Sequence, residues 1–207
     1  MSCKTIGESL SASLPPPEPI LSEEDKAARL ENVKSVILQC LCNANWTREK
    51  AGDDFDVGIK GVLKAIAMST QKHKVGVIIT GDYGCGKTMF VKAVFPRAKL
   101  INCGLPEEVS FLNYMEYPEY THELLTENVI IDDLGADSAK KEFGNCNDYV
   151  GDFIFRYHLY GKGRLIITTN LHGKELLERY GGRIGSRLKD LCVPIRFTGK
   201  DKREWIL

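Results

Sequence analysis

The chain has 207 residues, enough for one well-buried domain and a modest extension but too few for two full domains. It is 43% hydrophobic and 27% charged, with 28 basic and 28 acidic residues, so no whole-molecule field draws a charged partner. Seven cysteines without a spaced framework point to reduced thiols, and no apolar run approaches the ~18 residues of a membrane span. These features exclude a disulfide scaffold and a membrane-spanning helix, and they lead us to expect a soluble, cytoplasmic protein. Cys40 and Cys42 form a C-x-C pair, but no second Cys/His pair stands nearby at zinc-finger spacing, so no metal is expected there.

Residues 1–21, rich in Ser and Pro, read as a disordered arm that cannot bury enough surface to order itself. Ser22-Glu23-Glu24-Asp25 resembles a capping box with Asp in place of Glu, and Leu30, Val33, Ile37 and Leu41 then mark one helical face. A second helix is predicted over Val57–Ser69, with Ile59, Val62, Leu63 and Ile66 on its apolar side. From Val75 onward short apolar runs alternate with helical segments. Strands are predicted at Val75–Thr80, Lys99–Cys103, Asn128–Ile131, Arg164–Thr169 and Val193–Phe197. Helices are predicted at Lys87–Phe95, Asn147–Tyr160 and Lys174–Tyr180, the last stopped by Gly181-Gly182. Apolar strands separated by helices imply a parallel sheet covered on both faces. The expected organisation is an arm over 1–21, an N-terminal helical extension over 22–54 and a single α/β domain over 55–207.

Four motifs carry chemistry. Gly81-Asp82-Tyr83-Gly84-Cys85-Gly86-Lys87-Thr88 follows an apolar strand and opens a helix, the setting of a phosphate-binding P-loop. Its backbone N–H groups and helix N-terminus suit the phosphates of ATP or GTP. Lys87 would bridge β- and γ-phosphates and Thr88 would ligate Mg²⁺. The apolar run Val129–Ile131 ends in Asp132-Asp133, a Walker B arrangement in which Asp132 would hold Mg²⁺ and Asp133 would act as general base. Leu165–Ile167 ends in Thr168-Thr169-Asn170, which places Asn170 to position the attacking water. Arg183 and Arg187 share one helical face. They could reach the γ-phosphate of a neighbouring subunit, or form a solvated basic face with Asp190 as the ion-pair partner of Arg187.

The order of these motifs, ending in Glu178-Arg179-Tyr180-Gly181-Gly182-Arg183-Ile184-Gly185-Ser186-Arg187-Leu188, resembles the AAA+ ATPases of the DnaC/IstB/DnaI group. The resemblance covers about Phe55 to Arg203. It implies a P-loop NTPase (AAA+/ASCE) fold of the α/β class, a three-layer sandwich around a parallel five-strand sheet of order 5-1-4-3-2, with no full C-terminal lid. It also implies an ATPase whose turnover is stimulated by partner or DNA and whose cofactors are ATP and Mg²⁺. Arg187 takes the role of an arginine finger acting in trans within a homo-oligomer, and Arg203 that of a second sensor acting in cis. Asp133 stands where most AAA+ proteins have Glu, and its shorter reach suggests slow, switch-like turnover. The implied function is replicative-helicase loading, with single- or double-stranded DNA at hand and no membrane. An IstB-like transposition helper, whose partner is a transposase, is the alternative, and a small-molecule P-loop kinase is a third reading. Lys140, Lys141, Lys162 and Arg164 are candidate DNA contacts. Phe111, Tyr114, Tyr117 and Tyr120 lie in a segment acidic enough to favour packing or protein contact over base stacking.

Overall fold

Five short runs of Val, Ile, Leu and Thr assemble into one parallel sheet in the computed structural model, which describes residues 22–70, 73–103, 123–136, 141–142, 145–146 and 149–202. The strands are β1 (Gly76–Thr80), β2 (Lys99–Asn102), β3 (Val129–Leu134), β4 (Leu165–Thr169) and β5 (Cys192–Arg196). Their order across the sheet is β2-β3-β4-β1-β5, which from the opposite edge is the expected 5-1-4-3-2. Each observed strand falls within about two residues of its predicted span, except that β3 runs on through both acids to Leu134. Pro194 lies in β5, an edge strand of the sheet, where its missing N–H costs no interior ladder bond.

Alternate residues of each strand enter two separate cores. Val77, Ile79, Ile130, Ile166, Val193 and Ile195 face one side, and Ile78, Val129, Ile131, Leu165 and Ile167 face the other. This two-sided burial explains why the strands read as continuous apolar runs rather than alternating ones. The first face is covered by α1 (Glu23–Asn43), α3 (Asp54–Met68) and α4 (Lys87–Val94); a single turn, α2 (Arg48–Ala51), links α1 to α3. The second face is covered by α5 (Tyr149–Tyr160) and α6 (Gly173–Leu191). The result is a three-layer P-loop NTPase fold.

The helix starts follow local chemistry. Ser22 Oγ accepts the Asp25 N–H at 3.0 Å while Asp25 Oδ2 accepts the Ser22 N–H at 3.3 Å, so Asp completes the capping box as the sequence implied. Ile37 and Leu41 of α1 are buried in the same core as the sheet, so the N-terminal extension packs as part of this layer. The predicted stop at Gly181-Gly182 is a bend instead. Gly181 sits at φ +77°, and helical structure resumes beyond it to Leu191, held by the buried Leu188 and Leu191. No helix among the described residues is long and apolar enough to cross a membrane.

Candidate phosphate-binding site

The turn from β1 into α4 has the backbone of a phosphate cradle. Gly84 and Gly86 adopt φ +73° and +98°, conformations that a side chain resists. Space excludes larger residues as well. A Cβ on Gly84 would stand 1.7 Å from Asp201 Oδ1, and one on Gly86 would stand 2.1 Å from the Trp46 ring. Beyond the turn, Lys87 is only 5% exposed. Its ammonium donates to the carbonyls of Gly81 and Asp82 at 2.8 Å each and to Asn170 Oδ1 at 2.7 Å. Three N–H donors thus meet three oxygen acceptors, which removes the cost of burying the charge.

One residue along α4, Thr88 Oγ1 donates to Asp132 Oδ1 at 2.8 Å. Thr168 Oγ1 donates to the same oxygen at 2.6 Å and accepts the Asp133 N–H at 2.9 Å. Thr169 Oγ1 donates to the Leu134 carbonyl at 2.6 Å. These threonines pin a bulge: the register between β3 and β4 shifts between Ile131 and Leu134, and Asp133 sits at φ +56°. A bulge re-aims the side chains that follow it. It leaves Asp132 buried at 1% exposure and Asp133 half-buried at the strand's C-terminal end. Among the described residues no group of three or more His, Cys, Asp or Glu could enclose a metal ion. One buried carboxylate beside one hydroxyl does fit Mg²⁺, which takes few protein ligands and fills its shell with phosphate oxygens and water.

The loop is backed by both ends of the described chain. Trp46, from the α1–α2 connection, stacks on Phe197 at 6.4 Å between centroids, and both rings meet Phe90 of α4 edge-on. Lys202 lies across this cluster: Nζ stands 4.5 Å over the Trp46 ring and donates to the Cys85 carbonyl at 2.8 Å. Its backbone N–H donates to the Gly84 carbonyl at 3.1 Å. The turn that carries Lys202 is anchored by Asp54, a buried carboxylate at the start of α3. Its two oxygens accept the N–H groups of Thr198 and Gly199 at 2.8 and 2.9 Å.

The same architecture occurs in a solved structure of DnaI, which superposes with a TM-score of 0.51 over 76% of this chain and 94% of that one, at 19% sequence identity. The chain has the fold of DnaI. A structure of the DnaC helicase loader aligns over 70% of this chain and 91% of that one, with a TM-score of 0.45 and 16% identity. No protein-family model matches the sequence, and no curated protein matches it.

Within this fold, Gly81–Thr88, Asp132, Asp133 and Asn170 meet at the C-terminal ends of β1, β3 and β4, as the motifs implied. Arg187 is set apart from them on α6. Its guanidinium lies 4.5 Å from the Phe155 ring centre and donates to the Arg183 carbonyl at 2.7 Å, while Nε is buried with no hydrogen-bond partner among the described residues. The anticipated Asp190 pairing is not made; Asp190 instead pairs with His158 at 3.3 Å. Arg203, Lys140 and the aromatic residues of 111–120 lie outside the described residues, and Lys162 and Arg164 stand at the opposite, N-terminal end of β4. Sequence reasoning missed Trp46, Asp54 and Lys202 as supports of the loop, and it read Thr168 only as part of the polar end of its strand. Only Trp46 carried a signal, as a lone large apolar residue in the polar stretch from Asn43 to Lys50.

Proposed function

We propose that the chain binds ATP with Mg²⁺ at Gly81–Thr88, hydrolyses it slowly, and acts as an AAA+ switch of the DnaC/IstB/DnaI group on a DNA-bound partner, in the manner of a replicative-helicase loader. The supporting observation is the convergence of Lys87, Asn170, Thr88, Asp132 and Thr168 through contacts of 2.6–2.8 Å. On binding, Lys87 exchanges its carbonyl partners for β- and γ-phosphate oxygens. Thr88 and Asp132 would hold Mg²⁺, which when bound would offset the negative charge of the phosphates. Asp133 accepts the proton of a water that attacks the γ-phosphorus as the bond to the β–γ bridging oxygen breaks, and Asn170 orients that water. The loader assignment rests on the motif Glu178–Leu188, in which Arg187 completes the site of a neighbouring copy; Arg203 would act as a second sensor in cis.

Mixing complementary variants tests the assembly. Lys87→Ala supplies Arg187 but binds no nucleotide, whereas Arg187→Ala binds nucleotide but lacks the finger. Each alone should lose at least ~90% of DNA-stimulated turnover, in line with the large contributions of such groups. An equimolar mixture should recover a measurable fraction. Full activity in Arg187→Ala alone would rule out the trans finger. Capture of binding partners with Asp133→Asn, which holds the ATP-bound form, should recover a replicative helicase; recovery of a transposase would move the assignment to the transposition helper.

A further inference from the structure

The N-terminal ends of the strands carry a second polar cavity, roughly 20 Å from the P-loop along β1. Its volume is about 540 Å³, and it is lined by Lys74, Arg97, Lys162 and Arg164 together with Thr126, Glu127, Asn128 and Gly163. Four cations therefore face one carboxylate in a chain whose overall charge is zero. The neighbouring acids are already engaged: Glu123 pairs with Lys99 at 2.8 Å, and Asp190 with His158. Arg164 is structural, donating to Ser69 Oγ at 2.6 Å and to the Val75 carbonyl. The side chains of Lys74, Arg97 and Lys162 have no hydrogen bond or ion pair among the described residues.

The wall that carries Lys162 and Arg164 is rigid. Gly163 approaches the Glu127 backbone so closely that a Cβ there would stand 1.8 Å from the Glu127 carbonyl oxygen. That oxygen accepts the Tyr157 hydroxyl at 2.7 Å, the Lys162 N–H donates to the Leu125 carbonyl at 2.7 Å, and the Arg164 N–H donates to Asn128 Oδ1 at 2.8 Å. The entries to β3 and β4 are thus locked together, which fixes the backbone positions of Lys162 and Arg164. Among the described residues the lining includes no aromatic or aliphatic side chain, unlike a typical small-molecule pocket. An occupant would gain from charge and hydrogen bonds alone. It would have to carry several negative charges, since a single carboxylate leaves most of the cationic repulsion in place.

We infer that this cavity binds a chain of phosphate groups, with Lys74, Arg97 and Lys162 as its ligands. The shared chemistry is a run of phosphate oxygens, available either from a nucleic-acid backbone contacted without regard to sequence or from a free oligophosphate. The test uses the full chain with its P-loop filled by a non-hydrolysable ATP analogue and Mg²⁺, so that the P-loop cannot take up the probe. Binding of fluorescent oligo-dT and of sodium tripolyphosphate is compared between this protein and the triple variant Lys74→Ser/Arg97→Ser/Lys162→Ser. The triple variant should lose at least tenfold in affinity at low salt, and for oligo-dT the slope of log affinity against log salt should flatten by about 2, since each single-strand phosphate contributes about 0.7. Thermal unfolding and analogue binding should be unchanged, because these side chains make no other hydrogen bond or ion pair among the described residues. A loss confined to tripolyphosphate identifies a free oligophosphate as the occupant, and a loss for oligo-dT identifies a strand. Unchanged affinity for both probes, or no binding of either by the unaltered chain below about millimolar concentration, overturns the inference.

Discussion

The two ends of the sheet handle charge in opposite ways. At the C-terminal ends of the strands, the Lys87 ammonium is buried and satisfied by three oxygens, and Asp132 Oδ1 receives two hydroxyls. At the N-terminal ends, Lys74, Arg97 and Lys162 reach into an open polar space without partners among the described residues. The first arrangement is preorganised: a ligand trades places with groups already aimed at one point, so geometry decides what binds. The second is an accumulation of water-exposed charge, in which attraction is long-ranged, weakly directional and screened by salt. A buried charge must be paired to be tolerated, whereas an exposed one need not be.

The sharpest way to break this contrast is Lys87→Ala. It should lower ATP affinity by at least roughly a hundredfold in a titration with a fluorescent nucleotide, because the lost group is a desolvated, charge-assisted donor. Phosphate binding at the opposite cavity should be unaffected; loss at both ends would mean that they are not independent. Next in size, Asp54→Ala removes the acceptor of two N–H groups, and urea unfolding should show a loss of about 2–4 kcal/mol. The same variant should weaken nucleotide binding by freeing the turn that carries Lys202, while leaving the basic cavity intact. Thr168→Val deletes one hydroxyl that both donates to Asp132 and accepts from Asp133, and should cost about 1–3 kcal/mol. Turnover equal to that of the unaltered chain would show that the bulge need not be pinned there.

The smallest effect concerns pH. Burial pushes the Cys192 thiol and the Tyr157 hydroxyl well above their ordinary values. A group that holds its proton more tightly in the folded state stabilises the fold fully below its unfolded pKa and loses that contribution as pH rises past it. Stability should therefore be level up to about pH 8.5 and then fall, by at most about 1.4 kcal/mol per pH unit for the thiol. Cys192→Ala should flatten the decline between about pH 8.5 and 10, read by denaturant unfolding, without changing nucleotide affinity at pH 7.

Much of the sheet was legible because its strands are buried on both faces and so appear as unbroken runs such as Val77–Thr80 and Leu165–Thr169. The loop was legible because its glycines, lysine and threonine keep fixed spacing for a local reason. Features arising from distant partners were not. Nothing near Asp133 announces a left-handed backbone; it follows from the two threonines of β4, which lie 35 residues away along the chain. Asp54 and Lys202 lie some 150 positions apart in sequence and are tied through the turn at Thr198–Gly199, a connection no local pattern encodes. Gly181 shows the reverse error: its local signal says stop, and the buried Leu188 and Leu191 carry the helix onward.

The clamp of Lys202 on the loop has a mechanical consequence. Its N–H and ammonium hold the carbonyls of Gly84 and Cys85, the outer side of the bend whose inner side would face phosphate. Tension on the chain just beyond Lys202 is therefore delivered to the loop itself, with Asp54 as the fixed post against which it pulls. The loop is strung between the Asp54 anchor in α3 and Lys202.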